Sequence, residues 1–346
     1  MNRWEFLSAA GASVFAARQA RGPSTKPCPE VSKGQDDTGD TIDPARQTQG
    51  QALRVLLGQG QAQRIDDATF LFEGRRYRGT FAPAASGEIV NTVPLEQYLY
   101  SVVSREMPYS WPAAALQVQA IVARTYVLQR SNPSREYDLV PSEADQVYTG
   151  IDAEHPQSTA AVDATAGEAL RYGAQFAQVL YSSCCGGHTE SNTDAWGGKP
   201  LAYLGGVRCA YCTPSPWYKW SQQIPLDRVQ QTLAAQLQNA GPIDAITLDS
   251  PDASGRARFW NFVGSTSSVR VKAADIRRAL GSRVLPSLLV HSVSLTQADQ
   301  RVTIEGGGLG HGVGLCQWGA RGMALAGTDA RGILAYYYPG TGIGDD

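Results

Sequence analysis

Charge is scarce in this sequence. Acidic and basic residues together make 18% of 346 positions, and they nearly cancel to a net charge of −2. A chain so balanced has no overall field to gather nucleic acid or an anionic membrane, so no nucleic-acid partner is expected. Long apolar runs are missing too. Beyond a modest stretch from Phe6 to Ala17, nothing approaches the length needed to span a bilayer. The familiar catalytic signatures are also absent: there is no GxSxG, no HExxH, no P-loop, and no GxGxxG after a strand-like run. Gly306-Gly307-Gly308 and the run Gly310-His311-Gly312-Val313-Gly314 are rich in glycine but do not read as phosphate loops.

What is present is ordinarily globular, with 42% hydrophobic residues to build a core. Residues 1–22 carry one early positive charge ahead of the short apolar run and read as an export signal, which places the protein in the periplasm or cell wall. The plainer alternative is an ordinary N-terminus of a cytosolic chain. Residues 23–50 are polar and rich in Gly, Asp, Thr, Ser and Pro, as in a disordered linker. From Leu53 the texture changes. LRVLLG, ATFLFEG, YRGTF and EIVNTV read as short antiparallel strands, and AITLDS, ARFWNFVG, SVRVKA, LLVHSVSLT and RVTIEG as a second set. Helices are expected over Leu226–Asn239, Ala273–Leu280 and Met323–Tyr338. The fold class is therefore α+β: an antiparallel, β-rich core around a central pair of helices, with residues 51–346 acting as one unit.

That central pair lies in PLEQYLYSVVSREMPYSWPAAALQVQAIVARTYVLQR, Pro94 to Arg130. Leu95, Tyr98, Leu99, Val102 and Val103 form one apolar stripe at helical spacing. Met-Pro-Tyr-Ser-Trp-Pro stops this helix, because each proline disfavours helical geometry in the residue before it. A second helix is expected to start at Ser110 as N-cap, with Pro112 in its first turn. Glu106 is the last helical residue before the break. There the negative end of the helix dipole and partial burial both favour a protonated carboxyl, the state a general acid needs. On the helix alone, a solvated surface Glu is the plainer reading.

The second group is Cys/His-rich: SSCCGGHTESNTDAWGG, then VRCAYCTPSPWYKW. Two residues separate Cys185 from His188, and two separate Cys209 from Cys212. Paired ligands at that spacing suit a structural zinc site with four protein ligands, Gly186-Gly187 permitting the turn. Cys184 is an alternative to Cys185, and disulfides are the alternative to metal in an exported chain.

LEQYLYSVVSREMPYSWP with ALQVQAIVARTYVL, and GGGLGHGVGLCQWGARGMALAGTDARGILAYYYPGTGI further on, resemble the two signature blocks of the stage II sporulation protein D family (SpoIID/LytB). The resemblance covers roughly Leu53 to Ile343. It implies one of two activities: lytic transglycosylase action on peptidoglycan glycan strands stripped of stem peptides, or non-catalytic wall binding that enhances a cell-wall amidase. In the lytic members the Glu of the Glu-Met-Pro motif is the acid, and that position is Glu106. Relatives that carry Cys and His zinc ligands near the acid support zinc here. Gln119, Arg124 and Tyr126 lie in the matching block as substrate-binding candidates, although Arg124 reads equally as a structural ion-pair partner and Tyr126 as core. His311, Gln317 and Trp318 in the second block are candidates to line a glycan groove. The chain departs from the family pattern at Cys316, where relatives more often have Ser, and at Ala114, where a second acidic residue is common.

Overall fold

The computed structural model describes residues 51–142 and 144–344. The readings of residues 1–22 and 23–50 lie outside the described residues. The first strand, β1 (Ala52–Gly58), alternates inward and outward and buries Leu53 and Val55. The short strands β2 (Gln63–Arg64), β3 (Thr69–Phe72) and β4 (Arg75–Arg78) form a separate antiparallel sheet. Strand β5 (Thr80–Pro83) and β1 flank β6 (Ile89–Pro94), both antiparallel to it. Buried Asn91 on β6 donates to the carbonyls of Arg78 and Thr80 and accepts from Tyr148, which ties both sheets to the loop beyond the helices.

Helix α1 (Leu95–Glu106) follows β6 without a break and buries Tyr98, Leu99, Val102 and Val103. It stops where expected: Met107, ahead of Pro108, is extended at φ −132°, ψ 145°. Helix α2 (Ala113–Arg130) begins later than expected. Pro112 occupies the N-cap position at φ −54°, ψ 143°, and Ser110 does not cap. The ring of Pro112 pre-sets φ, and its carbonyl accepts the Ala115 N–H at 2.9 Å, so the first turn closes on the main chain without a side-chain acceptor. Beyond its first turns α2 is covered on nearly all faces, with every residue from Val118 to Leu128 buried. A helix with no solvent stripe is a core helix, and the elements around α2 are placed by it. Helix α3 (Pro156–Asp163) packs across both α1 and α2.

A hairpin of β7 (Leu170–Tyr172) and β8 (Gln175–Phe176) leads to β9 (Tyr181–Ser182), the cysteine-rich loop and the short helix α4 (Asn192–Trp196). The chain then builds a second apolar core. Strands β10 (Trp220–Pro225), β14 (Val290–Thr296) and β15 (Arg301–Gly306) form one sheet, in the order β10–β15–β14. Strands β11 (Ile243–Leu248), β12 (Phe259–Gly264) and β13 (Ser268–Lys272) form another. The helices of this region are α5 (Leu226–Thr232), α6 (Ala234–Leu237) and α7 (Ala273–Leu280). Trp260, Phe262, Ile276, Leu285, Val302 and Ile304 are fully buried among them. Trp220 lies opposite Gly306 in the β10–β15 ladder, so the chain enters and leaves this region on adjacent strands. The helix expected over Leu226–Asn239 is broken at Leu233, whose φ −106°, ψ 21° is not helical.

The C-terminal block returns to the first core. Strand β16 (Leu315–Cys316) pairs in parallel with β9, setting Cys316 opposite Ser182. Met323–Tyr338 was expected as one helix and is two, α8 (Gln317–Leu325) and α9 (Ala330–Tyr337). Gly327, at φ +90°, ends the first, and Asp329 caps the second by accepting from the Gly332 N–H at 2.8 Å. The last strand, β17 (Gly342–Ile343), pairs with β7. The described fold is thus α+β with antiparallel sheets and one short parallel pair. No described helix is long and apolar enough to cross a membrane.

Candidate functional site

Glu106 ends α1 and is 2% exposed. Its Oε1 accepts from the Val147 N–H at 3.3 Å. Its main-chain carbonyl, one of those a helix C-terminus leaves without an intrahelical donor, accepts from the side-chain amide of Gln317 at 3.0 Å. The same amide nitrogen donates to Gln119 Oε1 at 3.1 Å. Three residues singled out in the sequence, on α1, α2 and α8, therefore meet at one point. Gln119 and Gln317 are themselves buried, at 0% and 1% exposure. The Gln119 Nε2 donor has no acceptor among the described residues, so the cluster retains an unspent hydrogen-bonding group.

Beside this point lies an aromatic group that sequence reasoning found only in part. Trp318 follows Gln317 on α8, and its ring meets Trp111, from the α1–α2 corner, at 5.1 Å and 63°. The guanidinium of Arg321 lies 5.2 Å from the Trp318 ring centre and 5.7 Å from that of Trp111. Trp111 and Arg321 were not singled out. The available signal was a Trp inside the Pro-rich corner that follows the acid, and an Arg four residues after Gln317, on the same side of its helix.

Other expected substrate-binding residues stand elsewhere. Arg124 is fully buried and forms a two-pronged pair with Glu96 at 2.8 and 2.6 Å, while also donating to the carbonyls of Glu168 and Val162. Its donors link α1, α2 and α3, the placement of a structural ion-pair partner. Tyr126 donates to Asp145 Oδ1 at 2.9 Å, stacks under Arg130, and is raised in pKa chiefly by burial. It is a structural tether as placed. His311 accepts the Val313 N–H at Nδ1 and sits 5.4 Å from the ring of Trp196. It lines an open cavity of about 370 Å³ together with Glu190, Asp194, Asp252 and Arg256, and neither Glu106, Gln119 nor Gln317 lines that cavity. Within it, burial raises the Glu190 carboxyl, while Ser254 Oγ donates to its Oε2 at 2.7 Å. The cavity and the Glu106–Gln119–Gln317 cluster are thus separate features.

The cysteine cluster requires one correction. The ligand set expected was Cys185, His188, Cys209 and Cys212. The structure gathers Cys185, Cys209, Cys212 and Cys316, all buried, with their sulfurs within 4.8 Å of one another. His188 instead turns Nδ1 to the carbonyl of Thr189 at 2.7 Å, while its backbone bridges Arg208. The reason is long-range: the parallel β9–β16 pairing brings Cys316 to the turn after β9, where the Cys185 N–H donates to its sulfur at 3.3 Å. Cys316 also caps α8 by accepting from the Gly319 N–H. In the sequence Cys316 stood out only as a departure from the resembled family's usual Ser, with no link to the other cysteines. The five described cysteines are free thiols. Cys185 and Cys212 stand 3.7 Å apart, close to the edge of a tetrahedron with metal–sulfur bonds of ~2.3 Å, which is about 3.8 Å, and well beyond a disulfide bond. Neighbouring thiols, Cys185 first, and the Tyr337 hydroxyl hold the Cys209 thiol far below its ordinary range. Four buried thiols in this arrangement fit a metal ion. Because Cys316 directly precedes Gln317, the cluster also fixes the start of α8 against Glu106.

Comparison with known proteins agrees with this architecture. The family model described as stage II sporulation protein matches residues 84–172, which hold α1, α2 and Glu106. A domain of unknown function matches residues 210–314, which span the second core. The chain is 33% identical over 283 residues to an uncharacterized protein of Brachyspira hyodysenteriae, covering 80% of this chain and 74% of that one. It is 30% identical over 277 residues to stage II sporulation protein D of Bacillus subtilis, covering 75% and 77%. It is also 28% identical over 290 residues to the amidase enhancer of Bacillus subtilis, covering 70% of this chain and 40% of that protein. The chain belongs to the stage II sporulation protein D family.

Proposed function

We propose that the protein is a peptidoglycan lytic transglycosylase that cleaves the β-1,4 bond between N-acetylmuramic acid and N-acetylglucosamine in peptide-free glycan strands. The observation that carries this reading is the buried carboxyl of Glu106 at the end of α1, held by the Val147 N–H beside the Gln317–Gln119 pair. A carboxyl removed from water at the negative end of a helix meets the conditions under which the neutral acid is favoured. In the proposed step Glu106 gives its proton to the bridging oxygen as the glycosidic bond breaks. The 6-hydroxyl of the muramic sugar closes on its own anomeric carbon, and its proton returns to Glu106. The products are a 1,6-anhydro end and a free 4-hydroxyl. Intramolecular attack needs no enzymic nucleophile, so one carboxylate suffices. Trp111 and Trp318 offer faces on which sugar rings stack.

Zinc is the metal proposed for Cys185, Cys209, Cys212 and Cys316. Four thiolates complete a tetrahedral site, so the ion would be structural and supply no chemistry to the reaction. In this reading residues 51–346 work as one unit, on the wall side of the cytoplasmic membrane where the substrate lies.

The second reading, favoured by the relative named an amidase enhancer, keeps glycan binding and omits turnover, a cell-wall amidase being the partner. One assay separates the two. Purified protein and Glu106→Gln are incubated with peptide-free strands, and products are analysed by mass. Anhydro products from the first alone support the lytic enzyme. Binding by both without products supports the enhancer.

A further inference from the structure

We propose that Arg321 is the specificity residue for peptide-free strands, reading the free lactyl carboxylate that a muramic sugar exposes once its stem peptide is gone. This rests on the glycan reading above and deepens it.

The case begins with what Arg321 lacks. Among the described residues no carboxylate forms an ion pair with it. Its Nε is buried and has no acceptor among them. Other arginines near the acid are spent: Arg105 donates to Thr149, and Arg124 pairs with Glu96. A buried guanidinium donor without an acceptor is costly, so a partner that completes it would be bound favourably. The two indoles near it attract the cation through their ring faces but offer it no acceptor. They keep the cation close to both rings and leave its hydrogen bonds to other acceptors.

Position supplies the second half. Arg321 is one turn along α8 from Gln317, which touches Glu106, and α8 carries both on one side. A glycan stacked on Trp111 and Trp318 would present its substituents to this guanidinium. The sugars of such a strand are uncharged except at one place. Removing the stem peptide turns the lactyl amide on each muramic sugar into a carboxylate, the group a guanidinium binds with two parallel hydrogen bonds. A peptide-bearing strand has an amide carbonyl there, carrying no charge and continuing into bulk.

The test reads binding without turnover, so it is independent of whether the strands are cleaved. Full-length Glu106→Gln protein is titrated calorimetrically with peptide-free strands of fixed length, and with the same strands after their lactyl carboxylates have been converted to primary amides. The expected result is at least tenfold tighter binding of the carboxylate form. Adding Arg321→Gln should abolish that ratio while leaving affinity for the amidated form unchanged, and Arg321→Lys should restore it only in part. A ratio near one in the parent, or a ratio that survives Arg321→Gln in a protein with unchanged melting temperature, overturns the proposal. So does failure of both strand forms to bind. Absence of anhydro products in the cleavage assay, with the ratio intact, would overturn the lytic reading and leave this one standing.

Discussion

Gln317 donates a single side-chain nitrogen to the main-chain carbonyl of Glu106 and to the amide oxygen of Gln119. All three residues are buried, so that donor serves two oxygens away from water. Gln317→Ala should remove a shared donor from two buried acceptors, at a cost of about 1–3 kcal/mol. Urea denaturation of the variant should show a lower midpoint with an unchanged slope, and cleavage should fall with it even though no carboxyl has been touched. An unaltered midpoint would show that water replaces the amide.

The metal reading makes a prediction that distinguishes Cys316 from His188. Cys316→Ser should lower metal content below one equivalent when protein purified without added metal is analysed by elemental mass spectrometry. His188→Ala should leave it unchanged, because the His188 ring is directed to the Thr189 carbonyl. The opposite pattern would restore the ligand set expected from spacing.

Arg124 offers a test of structural burial. Arg124→Met removes the partner of Glu96 and empties two carbonyl contacts at the junction of α1, α2 and α3. Breaking a buried pair on one side costs about 3–5 kcal/mol. A loss of that size in chemical denaturation is expected, and Arg124→Lys should recover only part of it, since an ammonium cannot make the two-pronged contact. A variant of full stability with impaired glycan binding would return Arg124 to the substrate-binding residues.

Acid sensitivity should be traceable to Asp138. Burial opposes its ionisation, but donors from the Arg54 side chain and the Arg54 and Asn132 amides outweigh it and hold the carboxyl below its ordinary 3.8. A folded-state value below the unfolded one means the charged group stabilises the fold above the unfolded value of about 3.9. That contribution is lost as pH falls through the lower folded value. The stability difference between the protein and Asp138→Asn should therefore be constant at neutral pH and close below about pH 4. A gap that persists at pH 2 would mean the loss is one of shape rather than charge.

How much of this could be read from the chain depends on how local each signal is. The stripe of α1 and its stop at Pro108 are written in adjacent residues, and the structure follows them. The same holds for Ala273–Leu280, which is helical over the residues expected. Ser110 was misjudged as a cap because a proline two residues later can start a helix unaided. The fourth cysteine was missed because spacing rules see only near neighbours, and Cys316 reaches Cys185 through the pairing of β16 with β9. Gln119 and Gln317 were chosen from family blocks, and their contact, 198 positions apart, is invisible to periodicity. Trp111 and Arg321 gain meaning only once α8 lies against the α1–α2 corner.

The contact between Glu106 and Gln317 spans 211 positions of chain. During synthesis the acid emerges long before the helix that grips it, with the whole second core still to come. A product that stops before Gln317 therefore carries Glu106 without the amide that holds its main-chain carbonyl. The grip on the end of α1 is therefore in place only once α8, 211 positions later, has been made and has folded back against it.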